Sequence, residues 1–550
     1  MVASAAMALV GDRDGVDLVV VGDVYTVDAA RSWAEAVAIR GDRIVAVGTE
    51  RAVRERVGPA REVITGACVV PGFQDAHIHA AFAGRILRNV NLDDLTMREE
   101  YLERIAAFAG AHPELPWIVG GGWYNTVFAA TGWPRRQDLD AVVPDRPVFL
   151  MNTETHAAWV NTRALELGGI DTATPDPWDG YLVRDPDGSP TGCLQEGAAY
   201  TFWANVVPRE SVEGWMDSLR IAQRRLHGLG ITGWQDAWVE PDLLRAYRAL
   251  DDAGGLTMRI VAALWWDRHR GPEQIDDLVE ARAWGSGGCV RATTVKIMLD
   301  GCPESCTASL LQPYEGTFGH EHDRGIQFVD ADALIEAVLR LDALGFQVHM
   351  HALGDRAVRS ALDALEHARA ANGPNDLRHH VAHLQLPDPA DVPRLRALGV
   401  VANIQPVWAQ PDDVTETMTK PRVGERAARL YPIGDLRRSG AVLCFGSDWP
   451  VSTPDPFEQI EVAVTRQAPG SPDGDVLDAT QRIDLPSALA AFTRGSAYVN
   501  HDDDAGSIVE GKRADLVVLD RNPFAGPTHE IGRTEVSGTV ASGRVVFERA

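Results

Sequence analysis

Several features are missing from this chain, and each absence closes a class of function. Its six cysteines, Cys68, Cys193, Cys289, Cys302, Cys306 and Cys444, are scattered with no Cys-x-x-Cys pair, which fits a reducing cytosol better than a disulfide framework. No window approaches the roughly 18 apolar residues of a membrane span. The N-terminal MVASAAMALVGDRDG lacks a basic region before its short apolar run, so it reads poorly as a secretory signal. Basic residues are outnumbered: 52 Lys and Arg against 78 Asp and Glu give a net charge of −26, which repels nucleic acid and anionic membranes. There is no Gly-x-Ser-x-Gly elbow, internal repeat or low-complexity tract. The expectation is a cytoplasmic protein acting on a small molecule, with no nucleic-acid or membrane partner; a homodimer is compatible with the sequence.

What remains is an ordinary globular composition, 45% hydrophobic and 24% charged over 550 residues, long enough for two or three domains. Residues 17–70 alternate β-rich runs with turns, including a Gly-Asp hairpin signal at 41–42. The C-terminal ADLVVLDRNP and TEVSGTVASGRVVFERA behave alike. Each end is short for a core of its own, so residues 1–70 and 505–550 are expected to pair as a small composite β-sandwich.

Strands alternate with helices between these ends. After VVPGFQDAHIH come ITGWQDA, MRIVAALWW (258–266), TTVKIMLD (293–300), FQVHMH (346–351), HHVAHLQ (379–385), VVANIQP (400–406) and AVLCFGSD (441–448), with helices predicted over 212–229, 331–345, 355–371 and 425–440. Eight such repeats predict a closed (β/α)8 TIM-like barrel, an α/β fold, from residues 71–80 and 205–504, with its active site at the C-terminal strand ends. Residues 81–204, rich in Trp, Gly and Pro, leave the C-terminal end of the first strand. They are expected to form an insertion or lid over the barrel mouth.

The chemistry begins at the first strand. Alternate side chains of a strand share a face, so Asp75, His77 and His79 project together, and two imidazoles so spaced can hold one metal ion. Lys296 lies in the fourth strand, His351 ends the fifth, His383 lies near the end of the sixth and Asp448 ends the eighth. Each alone has a bland explanation as a capped histidine, a paired lysine or a helix-capping aspartate. Together they converge on one mouth. His349 and His379 share faces with His351 and His383, while His380 points the other way; these three read as core or supporting residues.

GFQDAHIH, HALGD, the histidine of VAHLQ, GSDWP and the C-terminal GSIVEGKRADLVVLD resemble the amidohydrolase superfamily, in the YtcJ-like branch that includes N-substituted formamide deformylase. The likeness spans nearly the whole chain. It implies two divalent ions, zinc by the chemistry of the donors: one on His77, His79 and Asp448, the other on His351 and His383, with Lys296 bridging them as a carbamate. Asp448 would be the catalytic proton carrier while a metal-activated hydroxide attacks an amide-like carbonyl. The branch commonly carries small residues and an Arg after LDG, where this chain has DGCPESCTASLLQPYEG; that departure touches substrate recognition.

Candidate substrate contacts are Trp123 in GGGWYN, His156 in THAAWVN (a His-x-x-Trp element of the branch), Glu196, Asp300 and Cys302. Trp123, Phe128, Trp133, Trp159, Trp265 and Trp266 supply aromatic material for an apolar wall, which favours a small N-acyl or N-formyl substrate with a hydrophobic substituent. N-formyl, N-acyl, cyclic imide and carbamate substrates all stay open. A mononuclear deaminase of a cyclic amidine, a lactone or ester hydrolase and a non-catalytic scaffold are the rival readings. The first usually pairs its fifth-strand histidine with a nearby Glu, which HMHALGDRAV does not supply.

Overall fold

The computed structural model describes residues 15–128, 133–316 and 323–549. Eight strands pair in parallel and in chain order: β1 (Phe73–Ile78), β2 (Ile231–Val239), β3 (Arg259–Trp265), β4 (Val290–Met298), β5 (Gln347–Ala352), β6 (His380–His383), β7 (Val401–Ile404) and β8 (Leu443–Phe445). Their buried side chains are largely β-branched or small, as an interior covered on both faces requires. Just beyond β8 the chain is stitched to β1: Asp448 N donates to His77 O (2.7 Å) and His79 N to Trp449 O (2.9 Å). Ser447 N donates to the Asp75 carboxylate (3.0 Å). The approach is so close that a Cβ on Gly446 would lie 2.4 Å from His77 N, which explains the glycine there.

The helices obey local rules. Val212–His227 starts at Ser211, whose hydroxyl accepts from Gly214 N, and buries Met216, Leu219, Ala222 and Leu226 along one face. The helix expected over 425–440 is instead a 3-10 turn at Gly424–Arg429 followed by an α-helix at Ile433–Ser439. Pro432 accounts for the break: it disfavours helical backbone at the preceding Tyr431, which adopts φ 53°. Among the described residues no helix is long and apolar enough to cross a membrane.

Both ends of the chain join one seven-stranded sheet, in the order 544–548, 536–541, 516–519, 60–71, 16–25, 33–40, 43–48. Leu18, Val37 and Ile39 from the start of the chain share a core with Leu516, Val518 and Val540 from its end. Strands between Val90 and Glu196 build a separate six-stranded sheet. Its aromatic richness is mostly its own core: Trp123, Phe128 and Trp159 are buried together with Trp133 against them. Trp123 is fully buried and its indole N–H donates to Leu150 O at 2.8 Å. It is therefore no wall of the mouth: its ring packs with Phe128 and Trp159 among Tyr101, Ile105, Ile118 and Leu150 in the core of the insertion.

Candidate metal centre

His77 and His79 end β1 on one face, and Asp448 follows β8. His77 Nε2 and His79 Nε2 each lie 3.2 Å from Asp448 Oδ1. All three ligand atoms fall within 4.8 Å of one another. The other ring nitrogen of His77 is engaged, with Nδ1 joined to His349 Nε2 by a 2.9 Å hydrogen bond. That contact fixes the ring so that Nε2 faces Asp448, the arrangement in which a supporting partner orients a ligating imidazole. His349 is thus a direct neighbour of the site, a role that depth along the strand does not reveal.

His351 and His383 complete the cluster. Their ring centroids are 4.4 Å apart, and His383 is 4.7 Å from His77. Strict alternation along β6 places His379 inside with His383 and His380 outside; the structure reverses this pair. His380 packs inside the barrel on His349, with ring centroids 4.0 Å apart. His379 faces out, where its Nδ1 accepts from Val348 N (2.9 Å) and its Nε2 meets Asp342 Oδ2 (2.9 Å). His383 still reaches the cluster because it leaves strand geometry, with φ 78°, followed by Leu384 at 47°. Lys296 is buried and in register with His349.

The donor set fits a metal. Burial pushes His77 down to about 3 and holds His351 and His383 well below the ordinary imidazole value, with Lys296 or a neighbouring histidine adding to it. They are neutral, the form that ligates. Burial opposes ionisation of Asp448, yet His77 and His79 hold it well below the carboxylate range. Burial pulls Lys296 to about 7 against the pull of Asp448 and Asp236. Both ring nitrogens of His383 are buried with no hydrogen-bond partner among the described residues, a costly state that a bound cation relieves.

Three of the proposed substrate contacts take other places. Glu196 is fully buried behind His156, accepting from Thr307 Oγ1 (2.5 Å) and meeting His156 Nδ1 at 2.8 Å; it backs His156 and does not face the mouth. Burial works against the His156 cation, but Glu196 raises its pKa above the usual value. Asp300, also fully buried, accepts from the backbone of Ser309, Leu353 and Gly354 (2.9–3.1 Å) and lies 3.4 Å from His351 Nδ1. It holds loops around the fifth-strand histidine and does not line the cavity. Trp123 belongs to the insertion core.

Two cavities with no lining residue in common adjoin the cluster. One, of about 350 Å³, includes His79 with Phe82, Met151, Trp203, Trp215 and Trp238. The second, of about 140 Å³, includes His351, His383 and Asp448 with His156 and Cys302. The apolar wall therefore comes from other aromatics than those expected. Trp265 contributes only by stacking on Trp238, with centroids 4.0 Å apart, and Trp266 packs in the barrel core. The sequence does carry a signal for the missed residues: Trp203 and Trp215 lie where the insertion returns to the barrel, and Trp238 closes β2.

Similarity to known proteins agrees with this geometry. Residues 64–547 match the profile of the Amidohydrolase family. The chain is 30% identical over 549 residues to N-substituted formamide deformylase of Arthrobacter pascens, covering 97% of this chain and 98% of that protein. It is 28% identical over 540 residues to YtcJ of Bacillus subtilis, covering 96% and 99%. An uncharacterized metal-dependent hydrolase from Pyrococcus furiosus superposes with a TM-score of 0.71 at 28% identity, over 92% of this chain and 99% of that one. The chain belongs to the amidohydrolase family, as a hydrolase acting on carbon–nitrogen bonds.

Proposed function

We propose that this enzyme hydrolyses the amide-type bond of a small N-acyl or N-formyl compound bearing a hydrophobic substituent. The observation that carries the reading is the convergence of His77, His79, His351, His383 and Asp448 beside an aromatic cavity. The deformylase activity named for the Arthrobacter relative is of the same reaction type. His77, His79 and Asp448 would hold one zinc ion, His351 and His383 a second, and Lys296 would join them as a carbamate. Bound there, the ions supply Lewis acidity and lower the pKa of water to about 7.

The chain's own groups do the rest. Asp448 takes the proton of the attacking water and returns it to the departing nitrogen, since a carboxylate can act as base and then acid within one turnover. Glu196 occupies Nδ1 of His156, which leaves Nε2 as the ring nitrogen available to the cavity, placed to donate to the substrate carbonyl oxygen. Phe82, Trp203, Trp215 and Trp238 receive the hydrophobic substituent and keep water from it.

Elemental analysis of protein purified without chelator is expected to give about two zinc equivalents, more than one tetrahedral site holds; a reproducible single equivalent overturns the binuclear arrangement. Lys296→Ala is expected to lose metal and activity together, and short carboxylic acids are expected to restore both in part. A panel of aryl amides, formamides, cyclic imides, lactones and phosphotriesters tests the reaction. Lactone or phosphotriester turnover well above every amide overturns it.

A further inference from the structure

The smaller cavity carries chemistry that the amide reading leaves unused. Its volume, about 140 Å³, is close to the roughly 150 Å³ that admits a benzene-sized guest. Besides the histidines it is lined by Glu154, Glu304 and Asp412, with Tyr124, Trp408 and Tyr431. Glu154 is anchored through Oε2 by the side-chain amides of Asn125 (2.6 Å) and Asn152 (2.8 Å). Glu304 is anchored through Oε1 by Gln385 (3.1 Å) and Thr419, and Asp412 accepts from Thr415 N (2.7 Å).

These donors are all neutral. The hydrogen bonds that anchor the three carboxylates therefore leave their negative charge unneutralised. The positive charge of His156 is matched by Glu196, and Arg422 weighs on Glu154 less than burial, Glu304 or His156 does. Burial and the neighbouring Glu304 push Glu154 up to about 7, outweighing the opposite pull of His156 and Arg422. The three acids do not bring ligand atoms within 4.8 Å of one another, as His77, His79 and Asp448 do. Their spacing is wrong for a bare metal ion. Aromatic faces beside carboxylates suit an organic cation. The same cavity reaches Asp448 and His383, the latter with both ring nitrogens buried and without a hydrogen-bond partner among the described residues, so a guest there also touches the reaction centre.

We propose that this cavity binds an organic ammonium group, and that the substrate carries a protonated amine on the side of the scissile bond that enters it. The apolar part of the molecule then occupies the Phe82–Trp203–Trp215 cavity. The proposal relies on the amide reading for the bond that is cut, but not for the binding of the cation.

Calorimetric titration of metal-loaded protein with n-butylammonium and with n-butanol tests it. The ammonium is expected to bind at least about tenfold more tightly. That preference is expected to shrink in Glu304→Gln and to vanish in the Glu154→Gln, Glu304→Gln double variant, each checked for an unchanged melting curve. Equal affinities, or a preference that survives the double substitution, overturn the proposal. So does displacement of butylammonium by equimolar calcium chloride, which would make the acids a metal site. Turnover of N-benzyl-6-aminohexanamide, which carries its ammonium on the acyl side of the scissile bond, is followed in parallel: no hydrolysis with cation binding intact defeats the amide reading and leaves the ammonium site standing.

Discussion

Asp448 is held at φ 56°, His383 at 78° and Glu196 at 51°, left-handed conformations that cost a non-glycine residue about 1–3 kcal/mol each. The cost falls on residues that aim a reactive group into the cluster or support one that does. Asp448→Asn keeps the shape and removes the proposed proton carrier, so kcat is expected to fall by about 10²–10⁴-fold with metal content largely retained; near-normal turnover would remove Asp448 from proton transfer. His349→Phe keeps the packing but releases His77 Nδ1. Its metal affinity, read by competition with a chelator, is expected to weaken about 10–100-fold; equal stripping of both proteins would reduce His349 to a packing role. Trp123→Ala is expected to cost about 3–5 kcal/mol in urea denaturation while kcat/KM of the folded fraction stays unchanged. A selective rise in KM would return Trp123 to the substrate.

At the scale of elements, the β-strands were the most legible part. Most barrel strands are signalled by short apolar runs, and Val69–Ala80 alone places Asp75, His77 and His79 on one face. Alternation failed where backbone left the strand conformation: the turn at His383 and Leu384 exchanges the places of His379 and His380, and no periodicity encodes it. The same limit hid the aromatic lining, because a sequence shows that the insertion is rich in tryptophan but not which rings its own sheet consumes. His379 became a strut between β5 and the helix Ala331–Ala343. Burial opposes ionisation of Asp342, but hydrogen bonds from His379, Asn375 and Asn372 lower it to about 2. A carboxylate depressed below its unfolded value adds stability above about pH 4 that is lost as pH falls through about 2. The melting temperature of Asp342→Asn is therefore expected to lie below that of the wild type at neutral pH and to converge on it near pH 2. A constant gap across that range would show that the strut contributes by shape and not by charge.

On the scale of the whole molecule, the pairing of the two ends was legible from composition, since neither end holds enough apolar residues to stand alone. The cavity acids were not: Glu154, Glu304 and Asp412 come from the insertion, the loop after β4 and the loop after β7, and nothing local marks them as neighbours. The stitch between β1 and the segment after β8 has a kinetic meaning. Asp75 and Ser447 stand 372 residues apart, and contacts of such separation form only after a large loss of chain entropy. His77 and Asp448 belong to that same seam, so the cluster does not exist on a nascent or partly folded chain until the last strand docks against the first. Metal capture is then a late event in folding that certifies a closed barrel: a chain truncated before Gly446 retains four histidines of the centre yet lacks the carboxylate and the backbone that hold the first two in place.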